Sequence, residues 1–80
     1  MALYTVVWER SAIIEWQKLH PERALAVANN VTALIRSPHP YRAVIERGPD
    51  DLLFLHVGDV DVIYEIIGRT VRILGIEQRT

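Results

Sequence analysis

LLFLHVGDVDVIYEIIGRTVRILGIEQ, residues 52–78, decides the fold, because turn signals divide it into three consecutive strands whose pairing can be counted out. Gly58-Asp59 and Gly68-Arg69 each interrupt β-branched, apolar runs, and glycine supplies the positive φ that tight hairpin turns need. With two-residue turns at both places, Val57 pairs with Val60, His56 with Asp61, Leu55 with Val62, Phe54 with Ile63 and Leu53 with Tyr64. Across the second turn Ile67 pairs with Thr70, Glu65 with Arg72 and Tyr64 with Ile73. Side chains alternate across a pleated sheet. One face then carries Leu53, Leu55, Val57, Val60, Val62, Tyr64, Ile66, Val71 and Ile73, and is expected to be the core. The other carries Leu52, Phe54, His56, Asp61, Ile63, Glu65, Arg72, Leu74 and Ile76, a mixed surface that is half solvated or binds something.

Working outward, Leu3 to Trp8 reads as a strand with Tyr4, Val6 and Trp8 on one side and Leu3, Thr5 and Val7 on the other, both largely covered. Ser11 is placed to cap a helix whose apolar stripe is Ala12, Ile13, Trp16 and Leu19. His20-Pro21 breaks that helix, and Pro21 suits the first position of a second one carrying Ala24, Val27, Ala28, Val31, Leu34 and Ile35 on one face. The prolines of Ser37-Pro38-His39-Pro40 end it. Val44 to Arg47 is a short strand candidate, closed by Gly48-Pro49-Asp50-Asp51. The expected fold is α+β in two layers, of order β-α-α-β-β-β, with a helical hairpin packed on one face of a mainly antiparallel sheet. Residues 1–80 make a single domain, since a chain this short buries roughly 60 to 65% of its unfolded surface and has no room for a second core.

Composition excludes several function classes. There is no cysteine, hence no disulfide framework and no thiolate zinc site. The N-terminus meets Glu9 and Arg10 too soon for a secretion signal, and no run approaches membrane-spanning length, so a cytoplasmic protein without membrane contact is expected. Net charge is −1, unevenly spread: residues 1–49 hold six Lys/Arg against four Asp/Glu, residues 50–80 three against six. Phosphate neutralisation dominates nucleic-acid affinity, so an acidic meander disfavours RNA or DNA lying on it. Arg36, Arg42 and Arg47 cluster around the connection from helix to sheet, and Arg42 and Arg47, with Arg72, are the candidate substrate-binding cations. His20, His39 and His56 lack metal-ligand spacing, and the glycines are isolated rather than gathered in a phosphate loop, so no metal or cofactor is expected. Trp8, Trp16 and Tyr64 read as core, and Tyr41 as the more exposed aromatic.

The order and spacing of these elements resemble the RelE/ParE superfamily of bacterial toxins from type II toxin-antitoxin modules. The resemblance covers essentially the whole chain. It lies in the opening strand followed by ERSAIIEWQKL, the second helix ending LIRSP, the VGDVDVIYEI segment that looks like the family's V-G-D-Y-R-V-I-Y hairpin, and the final ILGIEQR. It implies a toxin that cleaves mRNA on the ribosome and so inhibits translation, or one that inhibits DNA gyrase, neutralised in either case by a cognate antitoxin. RNA-cleaving members hold the phosphate with basic side chains on the exposed face of the meander, and a tyrosine beyond the last strand assists. Here the two lysine positions of the best-known branch fall near Leu52 and Phe54, the family's G-D-Y-R becomes Gly58-Asp59-Val60-Asp61, and the sequence reaches Thr80 without the tyrosine. His56 stands where many members carry arginine, and Arg79 matches the arginine near the C-terminal strand.

Those departures bear on the chemistry. Attack on a phosphodiester develops negative charge on phosphoryl oxygens, which fixed cations stabilise and a carboxylate such as Asp61 opposes. Each missing preorganised donor commonly costs on the order of 10² to 10³ in rate. A carboxylate beside an imidazole, however, favours its protonated form and fixes its tautomer, so His56, Asp61 and Arg79 are the candidate catalytic residues. The plainer reading of His56 opposite Asp61, and of Glu65 opposite Arg72, is a pair of cross-strand contacts worth roughly 0.2 to 1 kcal/mol each. Two function classes follow: a toxin acting as an mRNA interferase or on gyrase, and a catalytically silent member that binds a partner. The second would present the groove beside the helices, or the apolar patch of Leu52, Phe54, Ile63, Leu74 and Ile76 on the outer face, to an antitoxin-like segment.

Overall fold

In the computed structural model, which describes residues 3–37 and 44–79 and only the backbone of Val44, Ile45, Glu46 and Pro49, five strands and two helices follow one another. They are β1 (Thr5–Trp8), α1 (Arg10–Gln17), α2 (Pro21–Ala33), β2 (Val44–Arg47), β3 (Leu53–Val57), β4 (Val60–Ile67) and β5 (Thr70–Gln78). The fold class is the expected one, and the short candidate Val44–Arg47 joins as β2, giving a five-stranded sheet of order β1-β5-β4-β3-β2. Only the β1–β5 pair is parallel, because the helical hairpin returns the chain to the same end of the sheet.

The first hairpin has the counted register throughout, from Val57↔Val60 to Leu53↔Tyr64. Gly58 and Gly68 both sit at φ 59, at the first residue of their turns, where a side chain would be strained. The second hairpin follows the count from Ile67↔Thr70 to Tyr64↔Ile73 and then shifts: Ile63 opposes Gly75, leaving Leu74 as the extra residue of a β-bulge. Beyond the bulge every side chain of β5 changes face. Ile76 therefore lies opposite Val62 and is 4% exposed in the core, a correction to its expected place on the outer face. The same step carries Arg79 to the outer face, where the unshifted count would not have put it.

The core is the expected apolar face. Leu53, Leu55, Val60, Val62, Tyr64, Val71 and Ile73, joined by Ile76, pack under Ala12 of α1 and Val27, Val31 and Leu34 from α2 and its end. Each large side chain buried there contributes roughly 1.5 to 3 kcal/mol by transfer from water. Burial pushes the Tyr64 phenol up to about 12. A group whose folded-state pKa is raised stabilises fully below its unfolded pKa of about 10 and loses that contribution as pH climbs toward 12. Urea unfolding of Tyr64→Phe should accordingly lack the alkaline decline between pH 10 and 12 that the parent chain shows.

Two local expectations change. Ser11 is not an N-cap: α1 begins at Arg10, and the Ser11 hydroxyl donates to the Leu74 carbonyl at 3.2 Å. Glu15 on the same helix accepts the Ile76 amide at 3.2 Å. β1 ends at Trp8, opposite Ile73, so α1 runs along the remaining edge of β5 and its polar side chains satisfy backbone groups that a longer β1 would have paired. The outer side of β1 is not covered, with Leu3 57% and Val7 43% exposed, because both helices lie on the other face of this edge strand. Pro21 does open α2, and the His20 side chain accepts the Glu22 amide. Among the described residues no helix is long and apolar enough to cross a membrane.

Candidate functional site

The β3–β4 hairpin, the residue after β5 and the first turn of α2 build one polar cluster at an end of the sheet. His56 and Asp61 are directly opposite on the outer face, with the imidazole Nδ1 2.5 Å from Asp61 Oδ1. A carboxylate oxygen only accepts, so this contact turns Nδ1 of the imidazole toward Asp61 and fixes the orientation of the ring. Arg79 Nε lies 3.1 Å from the same Asp61 oxygen. Its backbone amide donates to the Asp59 carbonyl at 2.7 Å and its guanidinium to the Gly58 carbonyl, so the side chain is docked against the turn. Asp61 is nearly buried while Arg79 keeps 46% of its side chain exposed, which leaves the cation reachable from solvent. Like charges oppose each other where Asp61 meets Glu77, and the adjacent Arg79 offsets that repulsion.

The three candidate catalytic residues are thus brought together. The bulge is what gathers them, since only the shifted register places Arg79 diagonally beside Asp61. Counting had missed Arg23 and Asp59. Arg23 Nε and Nη2 each donate to one Asp59 carboxylate oxygen, both at 2.8 Å. The hydrogen bond from Arg23 holds the Asp59 carboxyl below the usual carboxylate range, and the same bond raises the guanidinium above its ordinary value. The G-D turn was legible, but an arginine 36 residues away on a helix carried no local signal.

The candidate substrate-binding cations are dispersed. Arg72 is held by Glu9, through Nε at 3.0 Å and through Nη2, and by Glu65 at 3.1 Å; the hydrogen bond to Glu9, then its charge, raises the guanidinium. Arg47 is well exposed and 3.3 Å from Asp51. Arg42, like His39 and Tyr41, lies outside the described residues. Of the candidate partner-binding residues, Leu52, Phe54, Ile63 and Leu74 remain half-buried, and Ile76 is withdrawn to the core. On the helical side, Trp8 and Trp16 meet edge to face at 6.0 Å and, with Ile13, Ala28, Val31 and Thr32, line an open groove of about 360 Å³. Both tryptophans are half-buried rather than fully enclosed. Among the described residues no group of His, Asp or Glu has metal-binding geometry.

No family model and no curated protein matches the sequence. The fold, however, is similar to solved structures over nearly the whole chain. The archaeal RelE–RelB complex of Pyrococcus horikoshii OT3 superposes with a TM-score of 0.81 at 22% identity, covering 99% of this chain and 97% of that one. The toxin-antitoxin complex RelBE2 of Mycobacterium tuberculosis gives 0.79 at 26% identity, covering 96% and 99%. The chromosomal ParDE system of P. aeruginosa gives 0.73 at 16% identity and covers 100% of both.

Proposed function

We infer, from a chain that has the fold of the RelE/ParE superfamily of toxins, that this protein is the toxin of a type II toxin-antitoxin module and acts on mRNA at the ribosome. The reading has one main support: full-length likeness to proteins solved as toxin-antitoxin complexes, with 26% identity in one of them. A cognate antitoxin is accordingly the proposed partner, seated against the outer patch of Leu52, Phe54, Ile63 and Leu74 or the groove beside the helices. The setting is the cytoplasm.

The proposed chemistry uses the cluster at the turn. His56 takes the proton of a ribose 2′-hydroxyl as that oxygen bonds to phosphorus. The bond from phosphorus to the 5′-oxygen breaks, the leaving oxygen takes a proton from water, and a 2′,3′-cyclic phosphate remains. Asp61 holds the imidazole in the required tautomer, and Arg79 offers positive charge to the phosphoryl oxygens. Arg79 shares that charge with Asp61, and Arg72 is neutralised by two carboxylates, so turnover is expected to be slow. Arg79→Ala should lower cleavage by roughly 10² to 10³. Retention of the parent rate in a translation extract would remove Arg79 from the mechanism.

The same neutralised Arg72 favours a second reading, a member that has lost cleavage and acts by binding, on gyrase or on a partner alone. Induced expression, with growth, cell-free translation and gyrase supercoiling followed in parallel, separates the two. Arrest with translation blocked supports the interferase. Arrest with supercoiling blocked supports the gyrase-directed form, and no effect in any assay supports the silent binder.

A further inference from the structure

We propose that Arg23, which touches none of the three clustered residues, is the positioning residue that holds Arg79 and His56 in working geometry. The inference rests on the cluster serving the cleavage proposed above, but its structural consequence can be read without that activity. The contacts run in an unbroken series. Arg23, in the first turn of α2, clamps the Asp59 carboxylate with two parallel bonds of 2.8 Å. Asp59 and Gly58 are the two turn residues, and their carbonyls accept the amide and guanidinium of Arg79. Arg79 meets Asp61 at 3.1 Å, and Asp61 meets His56 at 2.5 Å.

An exposed ion pair ordinarily contributes little, but a two-pronged arginine fork on a carboxylate is the geometry in which one fixes orientation. Here the fork grips a hairpin tip, the part of a hairpin least restrained by its ladder. Without it the two carbonyls that dock Arg79 are free to swing, the guanidinium leaves Asp61, and the carboxylate that orients His56 loses its second partner. The pair is also not needed to form the turn: Gly68-Arg69 makes the equivalent turn between β4 and β5, with a glycine at the same φ of 59 followed by an arginine.

That second turn supplies the control, because it shows arginine accommodated at the position Asp59 occupies. Long-range ¹⁵N spectra of the imidazoles and the Arg Nε resonances are recorded for the full chain, for Arg23→Ala and for the exchanged pair Arg23→Asp with Asp59→Arg. In Arg23→Ala, the His56 imidazole resonances should move and the Arg79 Nε resonance should shift toward that of a free guanidinium. The exchanged pair should restore both. RNA cleavage should fall about tenfold in kcat with KM unchanged, and return in the exchanged pair. Unchanged His56 and Arg79 resonances in Arg23→Ala overturn the proposal. If Arg23→Ala does not fold, Asp59→Asn gives the same reading, and the same absence of shifts overturns it. A parent chain that cuts no RNA, yet shows the shifts and their restoration, supports the positioning role while defeating the functional reading.

Discussion

His56→Ala is expected to lower RNA cleavage by at least about 100-fold while the protein remains folded. The size follows from the role: a positioned imidazole that takes the 2′-hydroxyl proton contributes roughly 10² to 10⁴. The fold should survive because Asp61 keeps Arg79 as a partner and is not left as an unpaired buried charge. His56 also contributes nothing to the main core, which lies on the opposite face of the sheet. Cleavage is measured in a translation extract and folding by circular dichroism and thermal unfolding. Loss of activity together with loss of structure would return His56 to the plainer cross-strand role.

Ile76→Ala should destabilise the chain by about 2 to 5 kcal/mol, the range for truncating a large aliphatic side chain in a packed core. A domain this small has few kcal/mol in hand, so much of the population should be unfolded at 37 °C. Leu74→Ala, two residues earlier and half-buried, should cost less than about 1.5 kcal/mol. The contrast tests the bulge itself. With an unshifted register Ile76 would face outward beside Asp61, its truncation would be nearly neutral, and Arg79 would point away from His56. Denaturant unfolding of the two variants gives the answer: equal, small effects would mean that the strand is not shifted.

How far the residues alone disclose this protein can be judged at particular positions. The pairing from Val57↔Val60 to Leu53↔Tyr64 was legible because glycine turns and strict alternation leave a single register, and the core face followed from it. The bulge was not, because Leu74-Gly75-Ile76 continues an apolar run in which either residue would be accepted on either face. Its cause lies in three dimensions: β1 stops at Trp8, and Ser11 and Glu15 from α1 bind the backbone of Leu74 and Ile76 instead. His56 and Asp61 were legible as neighbours from their places on either side of the first turn. Arg79 carried its resemblance to the family's arginine, but its contact with Asp61 depends on the bulge. Arg72 looked available as a cation on the outer face, yet Glu9, at the end of a strand adjacent only in space, occupies it. The family resemblance holds in the architecture, whereas the departures at Leu52, Phe54 and Asp61 are what make its usual chemistry hard to transfer.

The most direct measurement is the integrity of mRNA in a cell-free translation reaction, mapped by primer extension with purified parent protein and with His56→Ala. Cleavage that depends on His56 should give discrete cuts with the parent and intact message with the variant. Translation that stops while the message stays whole, or cuts that persist without the imidazole, would contradict it.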